Sequence, residues 1–454
     1  MNTIINSIRS KESRGLVIVF IYLFITLGTQ GQDTLLINLE TALELGGANN
    51  LTIQEYRQRQ ELAIANLSKA KEWWLPDVYA GVQTHQLWGA VMNGNGNFFL
   101  DVDRDNLWTG LGLDARWNFG DGIYQTKSAN LKVQAAHYQT HAEHNKALLE
   151  IIVAYYDFMA TQLYYQAFQQ LAAQADTISR QVAIQVAAGL AYQSELLLSK
   201  SNVNHLMVQM LNAKIEYGQN SATLVKLLNL DPTLKLLSVD SVMIPLDLFK
   251  YSETIAFDSV YQNRPEFKQS ESSLQSIEME RKTVTTGLLI PELRLNTYSS
   301  YFGGLGGQVT PMDPVLYPET NQLYTTGAFN VSLMWQIPIG RLIYGGDVKR
   351  YNARILIQQT HLEQVKAGIN EEIITARQLL LAVKEQMEIA FDGNQFAELA
   401  LQQSIQRQQL GTVRPFEILQ AQEIFIKSRL DYLKAVADFN KAQYALMAAN
   451  GESL

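Results

Sequence analysis

QLGTVRPFEILQAQE, residues 409–423, interrupts a stretch whose apolar periodicity continues on either side, and it places Gly411 and Pro415 four residues apart. In a helix interior glycine costs about 1 kcal/mol and proline about 3, so the pair reads as a deliberate turn between two helices. The chain carries a second copy of this turn. In AAGLAYQSELLLSKS, residues 187–201, Gly189 precedes Glu195 and Leu196 as Gly411 precedes Glu417 and Ile418. The same offset of 222 positions pairs Leu197 with Leu419, Leu211 with Leu433 and Tyr217 with Phe439. The chain is therefore an internal duplication: repeat one spans 38–230, a connecting segment 231–254, and repeat two 255–451.

The sequence is 47% hydrophobic but only 18% charged, with 21 tyrosines and 17 phenylalanines, a balance that suits a protein with a wet side and a lipid side. Arg9, Lys11 and Arg14 precede the apolar run LVIVFIYLFITL and the small residues of GTQGQ. This is the layout of a signal peptide over residues 1–31, because the apolar run is too short to span a bilayer as a helix. No later segment is apolar enough for a transmembrane helix. Removal of Arg9, Lys11, Glu12 and Arg14 takes the formal charge from −8 to −10, and an acidic exported chain is a poor partner for nucleic acid. The absence of cysteine excludes disulfides, thiol catalysis and thiolate metal sites.

Two segments change period from helix to strand. In LWTGLGLDARWNF, residues 107–119, one alternating face holds Leu107, Thr109, Leu111, Leu113, Ala115, Trp117 and Phe119. The other holds Trp108, Gly110, Gly112, Asp114, Arg116 and Asn118. GAFNVSLMWQI, residues 327–337, repeats the pattern with Phe329, Val331, Leu333 and Trp335 on its apolar side. A period of two with one dry face is a half-buried strand. Partner strands are expected near 77–90 and 291–302, joined through loops at 92–97 and 303–314. A soluble sheet packed on a core is one reading. Export, terminal Trp residues and strands of this length favour the lipid-facing band of an outer-membrane barrel, with Leu111, Leu113, Trp117, Phe329, Val331, Leu333 and Trp335 turned to lipid. Four strands cannot close, and a bilayer does not tolerate open sheet edges, so several chains must share one barrel.

Turns at FGDG (119–122) and YGG (344–346) lead into helical periodicity over roughly 124–187 and 347–408, each about 90 Å long at the helical rise. Leu362, Ile369, Ala376 and Val383 recur every seven residues beside Ile373, Leu380 and Met387. The returning helix repeats the seam with Leu419, Ile426, Leu433, Asn440 and Met447 beside Leu430, Ala437 and Tyr444. Sustained heptads mean coiled-coil packing, so the turns at Gly189 and at Gly411 to Pro415 are tips of two antiparallel hairpins.

This duplicated layout resembles the TolC-like outer-membrane efflux protein family over nearly the whole mature chain. NRPEF at 263–267, the proline-initiated strands WLPDV and LIPEL, and the paired G-x5-[DE]-[VIL] tips carry the likeness. The resemblance implies an α+β membrane protein. It would be a homotrimer whose four strands per chain build a 12-stranded transmembrane β-barrel in outer-membrane lipid, continued by a long antiparallel coiled-coil α-helical periplasmic tunnel. It further implies a passive exit channel of a tripartite efflux or type I secretion system, working with a periplasmic adaptor protein and an inner-membrane pump. The connecting segment would form an equatorial belt. By position in the family's tip pattern, Glu195 and Glu417 would line the pore constriction, and Gly189, Gly411 and Pro415 would be the tip hinges. This chain departs at the second tip, where Val413 and Gln420 replace an arginine and an acid.

His137, His141 and His144 share one face of the first long helix. The outer two are about 10 Å apart by the helical rise, too far to join the middle one on a single ion, so a solvated or lumen-facing polar patch is the stronger reading. A weak transition-metal contact or a hydrolytic zinc site are the alternatives. No nucleophile motif or phosphate loop is present, so neither an enzyme nor a cofactor is expected. The rival class is a non-conducting coiled-coil stalk or adhesin at the cell surface.

Overall fold

The computed structural model describes residues 34–454 apart from 93–95, 97, 249–256, 312–324, 338 and 411–414. The signal peptide and Gly411, Val413 and Arg414 lie outside the described residues. Strand β1 (Thr34–Ile37) leads to helices α1 (Leu39–Asn49) and α2 (Leu51–Lys71), then strands β2 (Asp77–Met92) and β3 (Phe98–Asn118). Helices α3 (Phe119–Ala187) and α4 (Gln193–Leu227) complete the first repeat, and strand β4 (Lys235–Ser238) follows. The second repeat runs through α5 (Phe257–Asn263), α6 (Pro265–Thr283), β5 (Glu292–Pro311), β6 (Thr325–Gln336), α7 (Ile339–Tyr344), α8 (Gly346–Gln409) and α9 (Pro415–Ala449).

The four long strands form one antiparallel sheet in the order β2, β3, β5, β6. Its register brings the alternating patterns into phase. Leu113 sits between Val78 and Thr297, which in turn pairs with Val331. Ala115, Leu295 and Leu333 form the next row on that face, and Trp117, Leu293 and Trp335 the row beyond. The opposite face carries Asp77, Asp114, Asn296 and Ser332, then Arg116 beside Arg294, with Arg116 3.3 Å from the Glu292 carboxylate. A slip of one residue in any strand would put its polar set among the apolar one. Both hairpins are longer than the alternation alone suggests: β3 begins at Phe98 and β5 runs on through the glycines to Pro311. On the polar face Gly112 lets the near-parallel rings of Tyr79 and Tyr298, 6.2 Å apart, pack across it from both neighbouring strands.

Below the sheet stand helices of 69 residues (α3) and 64 residues (α8), about 104 and 96 Å at 1.5 Å per residue. The expected turn at FGDG is instead the first turn of α3. Gly120 and Gly122 are there for close approach: a Cβ on Gly120 would strike the Gly287 backbone, and one on Gly122 the Trp73 ring. The second expected turn exists, with Gly345 at φ +58° capping α8. Shorter helices pack on the long ones. In the lower half α3 contacts α4 and α9, and α8 contacts α9. In the upper half α2 and α6 take their places against α3, and α6 also meets α8.

Each place where two shorter helices meet end to end has a dedicated side chain. Asn50 caps the start of α2 through its Oδ1, which accepts from the Thr52 and Ile53 amides, while its Nδ2 donates to the Leu227 carbonyl at the end of α4 (2.9 Å). At the other junction Arg264 of NRPEF, 6% exposed, donates from Nη1 to the Ala448 and Ala449 carbonyls at the end of α9, 3.0 Å each. Its remaining donors reach Glu266 and Glu372 at 2.9 and 2.6 Å. Pro265 then starts α6 where no amide donor is needed.

At mid-height β1 and β4 pair in parallel against a core of Ile151, Ile152, Tyr155 and Phe158 from α3, Leu224 and Leu228 from the end of α4, and Leu433 and Val436 from α9. The following segment lies along α9 as a strap. Asn440 accepts from the Leu246 amide and donates to the Ile244 carbonyl, and Gln443 does the same for Leu248 and Leu246. Higher up, buried Glu280 of α6 receives Lys132 of α3 and Arg354 of α8 (2.8 Å), tying the two repeats together. Burial works against its charge, but Lys132 and Arg354 outweigh that and hold its carboxyl below the usual value.

Replacing Arg264 with Ala strips the α9 carbonyls and leaves two carboxylates without their cation, a loss on the order of 3 kcal/mol. Denaturant unfolding of the detergent-solubilised protein measures it. The Glu280 carboxyl, depressed in the folded state, contributes stability that is complete above about pH 4.3 and is lost as pH falls through its folded value. Glu280→Gln is therefore expected to flatten the acid limb of stability measured against pH.

Candidate functional site at the helix tips

The first tip is built by backbone geometry. Gly189 stands just past the end of α3 at φ +76°, in the left-handed region that glycine enters without steric cost. The Leu190 amide donates to the Gln185 carbonyl (2.8 Å) and the Gly189 amide to Val186 (3.0 Å). Two carbonyls that the helix end would leave unpaired are thus satisfied by the turn itself. The chain re-enters helix at Tyr192, whose amide donates to the Glu195 carboxylate at 3.2 Å. Glu195 therefore caps α4, and its carboxylate lies at the start of that helix.

The second tip has Pro415 as the first residue of α9 and Glu417 within its first turn. Its turn residues, Gly411 among them, lie outside the described residues. The Glu417 carboxylate is 4.0 Å from the Arg407 guanidinium, and both side chains are more than half exposed. The two tips are brought together by one small apolar cluster. Ile178 and Val182 of α3 meet Leu401 of α8 and Ile418 of α9, with Leu196, Ile405, Ala421 and Phe425 around them. Glu195 and Glu417 each adjoin a member of that cluster in sequence. The structure thus places these two candidates at one end of the molecule and the lipid-facing candidates at the other. There Phe329, Val331, Leu333 and Trp335 are all at least 60% exposed and Leu111 is exposed too, while Leu113 and Trp117 are half-buried.

Polar seam residues near the tip escaped the reading of the sequence. Asn394, Gln408 and Gln422 are buried, with Asn394 Oδ1, Gln408 Nε2 and Gln422 Nε2 lacking partners among the described residues. Gln422 spends only its carbonyl oxygen, accepting from Asn202 of α4 at 3.1 Å. Each unpaired buried atom costs about 1–3 kcal/mol. The first hairpin is sealed differently: Ser179 and Ser199 bond each other (3.1 Å), and Phe168, Leu171, Ala175, Val203 and Leu206 pack above them. A signal was available, because Asn394 and Gln408 continue the seven-residue row of Ile373, Leu380 and Met387 through Leu401.

The three histidines sit far from the tips, on the upper part of α3. His137 and His141 are exposed, with ring centroids 4.6 Å apart. Burial, then the charges of His137 and His144, lower the His141 pKa. His144 is half-buried against the α1–α2 joint, and its pKa is lowered by burial and, more weakly, by Arg57 against a hydrogen bond to Asn145. Among the described residues no group of three or more His, Asp or Glu is arranged to hold a metal, and no helix is long and apolar enough to cross a membrane.

A one-sided four-stranded sheet mounted on duplicated helical hairpins of this length defines a class: proteins built as a sheet wall continued by a helical wall, as in outer-membrane channels. Residues 43–230 match the family model described as outer membrane efflux protein. No curated protein sequence matches the chain. Its fold is similar to that of CusC, described as forming a transmembrane channel (TM-score 0.73, 15% identity, covering 94% of this chain and 96% of that one). It is also similar to the Campylobacter jejuni CmeC outer membrane channel (TM-score 0.71, 15% identity, 94% and 90% covered). The open state of the Neisseria gonorrhoeae MtrE outer membrane channel resembles it at TM-score 0.69 and 15% identity, with 94% and 95% covered. At such identities the likeness concerns the fold.

Gly189→Ala forces an L side chain into the left-handed region, at a cost of about 1–2 kcal/mol. Faster hydrogen exchange is expected over residues 185–195 alone. Gly218→Ala, in the interior of α4 with open space at its Cβ, should be neutral or stabilising by up to about 1 kcal/mol.

Proposed function

We propose that this protein is a passive outer-membrane exit channel of a tripartite efflux or type I secretion system, gated at its periplasmic helix tips. The observation that carries the reading is the sheet register. It gathers the apolar positions of four strands onto one face and leaves β2 and β6 as open edges. An exposed face with Leu333 and Trp335 each 67% accessible suits lipid and not water. Open edges in lipid must be paired, because unpaired backbone groups cost several kcal/mol there. Copies of the same sheet can pair β6 of one chain with β2 of the next. Three copies, the number the family implies, make twelve strands, an even count within the range of such barrels.

The helices then continue the barrel as a tunnel that reaches about 100 Å across the periplasm. Cargo enters at the tips from an adaptor and a pump, which supply the energy. Glu195 and Glu417 of three chains ring the entrance with six carboxylates and favour cations there. Opening moves the second hairpin away from the first. Its distal seam holds three buried polar atoms without partners among the described residues, and water entering on opening would satisfy them. The seam near Gln422 is accordingly the weaker one. Gly189 and the turn preceding Pro415 act as hinges. The connecting segment 231–254 serves as a belt at mid-height, in keeping with the parallel β1–β4 pair and the strap on Asn440 and Gln443.

Single-channel current in a planar bilayer tests the reading. Wild-type protein is expected to pass small cation-selective currents. Glu195→Gln, Glu417→Gln retains the capping ability of position 195, since glutamine also serves in a capping box. It removes the charge, so cation selectivity should fall while thermal stability stays put. Insertion without conduction by either form would leave the stalk as the better account.

A further inference from the structure

His137 and His141 lie one helical turn apart on the exposed face of α3, in the interior of a 69-residue helix whose backbone is held on both sides by packed neighbours. Their ring centroids are 4.6 Å apart. Two imidazoles bound to one Zn2+ at about 2.1 Å per nitrogen, with about 1.1 Å more to each ring centre, have centroids about 4.5–5.2 Å apart for angles of about 90–109°. The observed spacing falls within that window. The rings now meet edge to face, at 74°, so convergence of two nitrogens needs ring rotation and no backbone movement.

The surroundings select this pair over the pair formed by His141 and His144. His144 is half-buried, engages Asn145 and feels the positive charge of Arg57, which opposes a cation beside it. On the His137 side the nearby cations are engaged elsewhere. Lys132 is bound to Glu280, and Lys268 lies over the Tyr138 ring at 5.8 Å. Thr140, between the two histidines, spends its hydroxyl on the Tyr56 and Ala136 carbonyls. No third protein ligand is required, because waters fill the remaining positions of a divalent ion bound at a surface.

We propose that His137 and His141 form a two-imidazole binding site for a divalent transition-metal ion of the Zn2+, Ni2+ or Cu2+ class, completed by water. This goes beyond the exit-channel reading and does not rest on it, since binding is measured without conduction. Imidazole is a preferred ligand of these ions, whereas Mg2+ and Ca2+ favour oxygen.

The test is isothermal titration of untagged, chelator-stripped full-length protein in detergent with Zn2+. One ion per chain is expected, with no heat from Mg2+ under the same conditions. His137→Ala and His141→Ala should each weaken binding by at least the roughly 10–100-fold that even outer-shell ligand partners cost. His144→Ala should leave it unchanged. Both histidines are exposed, so the variants are expected to keep the wild-type melting temperature without metal. Absence of Zn2+ binding by the wild type, or undiminished binding by the double variant His137→Ala, His141→Ala, overturns the proposal. So does a loss in His144→Ala equal to that in His137→Ala.

Discussion

A helix that ends inside a wall of helices leaves four backbone carbonyls or four amides without intrahelical partners, and this constraint shapes the whole molecule. Two continuous helices, α3 and α8, are flanked by shorter ones laid end to end, so the wall contains ends that solvent does not fully reach. Asn50 serves one junction from both sides, capping α2 and reaching the last turn of α4. Arg264 serves the other, with a guanidinium that satisfies two carbonyls and pairs with two carboxylates at once. Lysine could not do the same, because one ammonium lacks the planar fork that reaches several acceptors. With these ends closed, the stacked short helices behave as one and the hairpins can run the length of the molecule.

The sheet shows the same economy of satisfaction. Its interior strands β3 and β5 are paired on both sides, while β2 and β6 keep one open edge each. Its two faces have opposite chemistry: leucine, valine and tryptophan on one, aspartate, arginine and asparagine on the other. In a sheet packed on a core within one chain the apolar face would be covered, whereas here Leu333 and Trp335 stand 67% exposed, which suits a wall between lipid and water. The duplication makes it possible, because the second hairpin repeats the alternation of the first and adds to it in phase.

At the far end the two tips are sealed by different chemistry. The first hairpin closes through a glycine turn whose amides satisfy the helix end, a paired serine layer and an apolar cluster. The second keeps buried amide side chains with unspent capacity, and the two are joined by Gln422 and Asn202. A fully apolar seam there would pack better, and a polar one parts at lower cost because water can replace what is missing. The capping contact of Glu195 shows that a residue at a candidate entrance also has a local structural duty.

Much of this was readable from local pattern. The repeated Gly-x5-Glu tips, the heptad rows through Ile373 and Leu380, and the alternation around Trp117 and Trp335 specified hairpins and strands, because helix and strand periods are properties of consecutive residues. The turn assigned to FGDG was misread, since glycine signals both a turn and a close approach, and only Gly287 and Trp73 decide between them. Tertiary structure alone settled the register that aligns four apolar faces, the stacking of short helices and the burial of Arg264 and Glu280. It also decided which seam positions near the tip carry amides without partners among the described residues. Each depends on residues far apart in the chain, such as Arg264 with Ala449 or Asn202 with Gln422, and such contacts leave no mark on local periodicity.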